Sequence, residues 1–227
     1  VNYGVKTQLG SIFQIFNLRL DMFFVNHFVG VSSVGIYSIA VAAGELLWYI
    51  PTATGNILFP MVSDNSKKYD DKYISSVCRK TTILIASGAL ATLLTSWFLI
   101  PLLFGEKFIP SIKPLVILLP GIIAIGIHKV LIFALMGKGH PQYMSYSGLI
   151  TLVFTIILDI ILIPLMGISG AALASTLSYI ICAICTTYWF IKMSKLNWAE
   201  IIIPKKEDLI YLWNYGNRVA KNFLSVV

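Results

Sequence analysis

Charge is what this sequence has least of. Only 12% of its 227 residues are Asp, Glu, Lys or Arg, about half the roughly 25% of a soluble domain. Its apolar share, 57%, exceeds the usual ~45–50%. That balance argues against a disordered chain and against an ordinary soluble domain. Cysteine is scarce too, at Cys78, Cys182 and Cys185. Cys182 and Cys185 have CxxC spacing, but they lie in an unbroken apolar run. A zinc or redox site needs thiolates with polar support, so the pair reads as helix packing. The three histidines have no metal-ligand spacing and no nucleophile beside them, and no Gly-rich phosphate loop is present. No metal, cofactor or enzyme activity is expected. The pair Asp70-Asp71 comes nearest to a membrane prenyltransferase motif, but it has no second acidic cluster and reads as a solvated loop. The strict alternation over about ten residues that marks a membrane β-barrel is also missing.

What is present is a set of long apolar segments. Six stand out: Tyr3–Phe28, Gly35–Met61, Thr81–Phe104, Pro114–Met136, Met144–Met166 and Ser169–Lys192. Each suits a hydrocarbon core about 30 Å thick, so the expected fold is all-α and polytopic, with six transmembrane helices. Residues 1–192 form the expected transmembrane lobe and residues 193–227 a cytoplasmic or interfacial tail. The chain opens on Val1 and enters an apolar run at Tyr3 with no charged leader, which does not read as a signal peptide. A preceding half is expected.

The net charge of +7 is concentrated in loops, which points to orientation in a bilayer rather than to nucleic acid. Lys67, Lys68, Lys72, Arg79, Lys80 and Lys138 lie on one side, with Lys192, Lys195, Lys205, Lys206, Arg218 and Lys221 in the tail. Only Lys107 and Lys113 lie opposite. The polar loop Val62–Lys80, the start of the first segment near Lys6, and the C-terminus are therefore expected in the cytoplasm. Trp97 and Trp189 fall near opposite surfaces, as belt residues do. After Pro204 the tail mixes basic residues with Leu209, Leu212, Trp213 and Phe223, the pattern of a helix on the cytoplasmic leaflet.

Polar residues inside the spans carry the functional signal, because a charge there is costly and calls for a partner or a water-filled cavity. In the first segment Thr7, Ser11, Gln14, Asn17 and Asp21 fall on one helical face. Either a cavity or interhelical hydrogen bonding accounts for such a face. Arg19 projects from nearly the opposite side, about nine residues or roughly 14 Å below the outer end. Glu45 sits at similar depth in the second segment, so Arg19 and Glu45 are expected to share a polar pocket. The same reading holds whether they form a structural ion pair or line a substrate path. Glu45, Trp48, Thr52 and Asn56 lie along one face of the second segment, where Pro51 permits a kink. Asp159 lies in the outer third of the fifth segment. Glu45, Asp21 and Asp159 are the candidates for coupling to a proton or sodium ion. His128 and Lys129 lie toward the inner end of the fourth segment, where Lys129 can snorkel. Gly170, Ala174 and Ser178 form a small-xxx-small pattern that favours close helix packing.

Three stretches resemble the polysaccharide-export, or oligosaccharide flippase, family. This family belongs to the superfamily that includes multidrug/toxin extrusion transporters and lipid II flippases. The first stretch carries Arg19 and Asp21, then Val34-Gly35-Ile36-Tyr37. The second ends in Leu58-Phe59-Pro60. The third is Ile163 to Tyr179, with its Pro, Gly-x-x-Gly-Ala-Ala and Ser-Tyr. The resemblance covers about Tyr3 to Ile191. It implies the C-terminal six-helix lobe of a transporter of twelve or more helices, with the N-terminal lobe outside this chain. It further implies that the protein moves a lipid-linked oligosaccharide, on an undecaprenyl diphosphate carrier, across a bacterial cytoplasmic membrane by alternating access. The cavity residues would be Gln14, Asn17, Arg19, Asp21, Glu45, Trp48, Thr52 and Asn56, with Arg19 toward the diphosphate or an acidic sugar. Membrane lipids and the coupling ion are the other implied partners. The alternatives are a cation-coupled drug antiporter of the same superfamily, a membrane glycosyl- or prenyltransferase, and a purely structural membrane subunit.

Overall fold

The computed structural model describes residues 2–64 and 69–224, without the side chains of residues 2–7, 9, 11, 14, 15, 18, 216 and 219–224. Expectations placed on the side chains of Lys6, Thr7, Ser11, Gln14, Lys67, Lys68, Lys221 and Phe223 lie outside the described residues. The regular structure is helical: α1 (Asn2–Phe28), α2 (Val31–Glu45), α3 (Tyr49–Ser63), α4 (Asp71–Phe104), α5 (Ile112–Gly137), α6 (Gln142–Met166), α7 (Ile168–Ser194), α8 (Trp198–Ile202) and α9 (Lys206–Leu224). Tight 3-10 turns at Leu46–Trp48 and Glu106–Ser111 precede α3 and α5.

Among the described residues, five segments are long and apolar enough to cross a membrane: Val31–Ser63, Asp71–Phe104, Glu106–Gly137, Gln142–Met166 and Ile168–Ser194. Five of the six expected spans meet that measure, and α1 falls short of it by composition. α1 equals α7 in length at 27 residues, but Arg19, Asp21 and its amides dilute its apolar character. Its polar face needs protein or water beside it, which a uniformly apolar span does not.

α5 is the centre of the lobe. Its run of Leu, Ile and Val is apolar all round, the mark of a buried helix, and α7, α3, α4 and α2 pack against it. α6 packs on α7, and α1 packs on α6. Small residues let α5 and α7 approach closely. A Cβ added at Gly121 would stand 2.7 Å from the Thr176 Cα, and the Thr176 hydroxyl donates to the Ile117 carbonyl at 2.7 Å. Gly170, Ala174 and Ser178 are all buried, and Gly170 leaves no room for a Cβ against the Leu162 carbonyl. Residues facing outward, including Leu94, Trp97, Phe98 and Leu102 of α4, are large and exposed, as a lipid-facing surface requires.

Two local features shape the site. First, α2 and α3 form one bent span. Pro51 has no N–H for the Leu47 carbonyl, and the chain tightens into the 3-10 turn at Leu46–Trp48. The Thr52 hydroxyl donates to the Trp48 carbonyl at 2.7 Å. Second, α1 and α6 run parallel. Gly10 abuts Met144 and, a turn further on, Phe13 abuts Gly148.

The loop expected at Val62–Lys80 is shorter than that range. α4 begins at Asp71, ten residues before Thr81, because its first turns are covered by protein rather than by water. Arg79, 6% exposed, donates from Nε to Asp208 of α9 at 2.6 Å and from Nη1 to the Glu200 carbonyl of α8. The Ser76 hydroxyl and the Lys205 backbone N–H also donate to Asp208, at 3.2 and 3.0 Å. Burial alone would push the Asp208 carboxyl above its ordinary range. The Arg79 hydrogen bond, the Lys205 N–H, the Arg79 charge and the Ser76 hydroxyl outweigh it and hold the carboxyl below its ordinary range. The tail is thus docked on α4, while Leu209, Ile210 and Trp213 of α9 stay exposed.

Candidate functional site

Two adjoining cavities lie inside the lobe, and Trp48 and Tyr179 line both. Their rings meet edge to face with centroids 5.8 Å apart. The bend at Leu46–Trp48 puts Trp48 there, and the buried face of α7 supplies Tyr179.

The smaller cavity, about 20 Å³, is acidic. Asp21, Tyr37, Glu45 and Ser175 are among its lining residues. The Tyr37 hydroxyl donates to Asp21 Oδ2 at 2.7 Å, fully buried, and the Met22 N–H donates to Oδ1 at 2.7 Å. Asp21 therefore shares the pocket with Glu45, where Arg19 was expected. Arg19 is exposed, lines neither cavity, and contacts Met22 Sδ at 4.0 Å. The reason is angular: two residues apart on a helix point to nearly opposite sides, and the Tyr37 hydrogen bond commits Asp21 to the α2 side. The tyrosine in question closes the Val34-Gly35-Ile36-Tyr37 motif.

The larger cavity, about 150 Å³, is lined by Asn17, Trp48, Thr52, His128, Lys129, Thr151 and Tyr179 among others. Lys129 does not snorkel. Its Nζ donates to Thr52 Oγ1 at 3.0 Å and lies 4.8 Å from the centroid of the Trp48 ring, a cation–π distance. The Thr52 hydroxyl can accept from Lys129 because its own proton goes to the Trp48 carbonyl. Beside it, His128 Nδ1 lies 2.8 Å from Thr186 Oγ1. Thr186 already donates to the Cys182 carbonyl, so Nδ1 carries the proton of this bond and Nε2 is the acceptor nitrogen. The sequence places His128 and Lys129 toward the inner end of a span, and the structure puts both on the cavity wall. A signal was there: Lys129 stands eight residues from the end of α5, about 12 Å at the helical rise, beyond easy snorkelling reach.

Several polar atoms here are buried with no hydrogen-bond partner among the described residues: Asn17 Oδ1, Trp48 Nε1, Thr155 Oγ1, Ser178 Oγ and both carboxylate oxygens of Asp159. Asp159 is 0% exposed. It stands on α6 within electrostatic reach of Asp21, and Glu45 is within reach of both Asp21 and Lys129. Of the remaining candidates, Thr52 and Trp48 line the larger cavity, Asn56 is exposed outside both, and Gln14 lies outside the described side chains. Among the described residues no group of three or more His, Cys, Asp or Glu could hold a metal ion. Cys182 is buried and Cys185 partly so, both as free thiols.

A helical lobe with a polar cavity between its spans defines a multi-pass membrane protein of transporter fold. A structure described as an outward-facing multidrug resistance MATE family transporter of the MOP superfamily matches it with a TM-score of 0.67 at 20% identity. The match covers 90% of this chain and 48% of that one. A MOP superfamily transporter from Pyrococcus furiosus, described as having a binding pocket of reverse polarity, matches with a TM-score of 0.64, 20% identity and the same coverage. The model of the polysaccharide biosynthesis protein family matches residues 1–113. The chain's curated relatives include two proteins of Haloferax volcanii. "Probable low-salt glycan biosynthesis flippase Agl15" is 25% identical over 88% of this chain and 45% of the relative. "Probable flippase AglR" is 30% identical over 70% of this chain and 35% of the relative. An uncharacterized membrane protein of Methanocaldococcus jannaschii is 28% identical over 79% of this chain and 36% of its own length. The chain spans less than half the length of these relatives. All three are archaeal, so they lend no support to the bacterial setting expected from the sequence.

Proposed function

We propose that this chain is one lobe, the C-terminal one, of a transporter that carries a lipid-linked glycan across the cell membrane. The observation that carries the reading is Lys129, a cation held inside the spans by Thr52 and Trp48 on the wall of a cavity. A cation in hydrocarbon is retained where it meets an anionic group, and the diphosphate or an acidic sugar of a lipid-linked glycan supplies one. The relatives named as flippases support the same class of cargo. A second lobe would complete the cavity, and rocking of the two lobes would open it to each side in turn. Arg19 and Asn56, exposed on this lobe, would then face the shared cavity. In this reading the C-terminal tail is cytoplasmic and the carrier is a polyprenyl lipid. Asp21, Glu45 and Asp159 favour coupling to a proton or sodium ion, since the Asp159 oxygens have no hydrogen-bond partner among the described residues.

The test is the complete protein in proteoliposomes with a fluorescent lipid-linked oligosaccharide in one leaflet. Lys129→Gln should slow its movement by roughly tenfold, the size of one charge-assisted hydrogen bond. Asp159→Asn should flatten the dependence of the rate on pH or sodium. The three acidic residues also suit a cation antiporter. Efflux of a cationic dye, with no movement of the glycolipid, would move the assignment there.

A further inference from the structure

The larger cavity holds two orphan groups of opposite kind. Asn17, 6% exposed, buries an acceptor, Oδ1, with no partner among the described residues. Trp48 buries a donor, Nε1–H, in the same state. Both residues line the cavity, and a buried polar atom left unpaired is costly. A ligand that satisfies both must donate and accept. Hydroxyl groups do both, whereas a phosphate or diphosphate at neutral pH mainly accepts and leaves Asn17 Oδ1 unpaired. A drug cation would meet Lys129 and be repelled.

The remaining wall narrows the class. The Trp48 and Tyr179 rings offer aromatic surface against which the C–H face of a sugar ring packs. Lys129 Nζ stands over the Trp48 ring and is held by Thr52, so an anionic substituent on that sugar finds a charge partner on the cavity wall. The volume fits one ring and little more. At about 150 Å³ the cavity is roughly ten times what one water needs, and about half the ~300 Å³ lower bound for drug-sized ligands.

We propose that Asn17, Trp48 and Lys129 form a subsite for one acidic pyranose, a hexuronic acid of the transported glycan, and that Lys129 selects the acid over its neutral counterpart. This rests on the glycan-transport reading and adds to it the chemistry of one sugar. The experiment is equilibrium dialysis of the complete protein in nanodiscs against radiolabelled glucuronate, glucose and pyrophosphate. Glucuronate should bind roughly tenfold more tightly than glucose, the size of one charge-assisted contact. Lys129→Gln should abolish that preference and Lys129→Arg should retain it, which also shows that the site still folds. Trp48→Phe retains an aromatic ring and removes the N–H; with Asn17→Ala it should weaken both sugars. Equal binding of the two sugars to wild type, a preference that survives Lys129→Gln, or binding of pyrophosphate alone would each overturn the subsite. If the subsite fails while the lipid-linked glycan still moves in proteoliposomes, transport stands without it. If glucuronate binds as expected but no glycolipid moves, the transport reading falls instead.

Discussion

Asp21 shows how one hydrogen bond decides which side of a helix matters. Asp21 and Arg19 are two positions apart in α1, and only one can face α2. The Tyr37 hydroxyl, buried and 2.7 Å away, commits Asp21 inward and leaves Arg19 outside. Tyr37→Phe removes that donor without changing shape. The buried carboxyl loses a partner, and the lobe should lose about 1–3 kcal/mol of stability, seen as a lower unfolding temperature in nanodiscs; an unchanged temperature would mean the bond contributes nothing. The alternation of Asn17 and Asp21 on one face was legible in the sequence, because helical periodicity places them together. The partner was not, because Tyr37 comes from another span and only packing brings it there.

At the scale of elements, the most consequential contact joins the first turns of α4 to the C-terminal tail. Arg79 and Asp208 are 129 residues apart, and their side chains are 7% and 2% exposed. Arg79→Ala would leave Asp208 buried without its cation and should undock α8 and α9 at a cost of about 3 kcal/mol. Hydrogen exchange would rise in α8, α9 and the first turns of α4 while the spans stay protected. The same contact sets a pH dependence. Asp208 is held below its ordinary range, so its contribution is complete above the ordinary carboxylate value of about 3.9 and is lost as pH falls through the depressed one. The tail should therefore release only in strong acid, below that value, and Asp208→Asn should release it at neutral pH. Release of the tail already at pH 5 or above would contradict the coupling. The sequence reading placed Arg79 among the positive-inside residues of a loop; nothing local in the sequence marked it as the anchor of a tail helix.

For the whole molecule, the exposed charge of Arg19 is the feature that looks beyond this lobe. A guanidinium at that depth facing lipid would be costly. In the complete protein Arg19→Cys should react readily with a membrane-impermeant maleimide, because the residue should face a water-filled space between lobes. A cysteine placed at Leu94, whose side chain is 70% exposed on α4, should stay unlabelled in lipid. Equal protection of both positions would place Arg19 against protein or lipid and remove it from the cavity.

The sequence by itself determined that this chain crosses a membrane through helices, where each apolar span lies, and which class of transporter it resembles. Those properties follow from apolar length, helical period and short motifs, all local along the chain. Only the tertiary structure decided that Lys129 and Thr52, from spans 77 residues apart, close on Trp48 around one cavity. It also decided that Asp159 has no hydrogen-bond partner among the described residues and that Asp21 rather than Arg19 joins Glu45. A buried polar group takes its meaning from what surrounds it, and in a helical lobe those neighbours come from other helices.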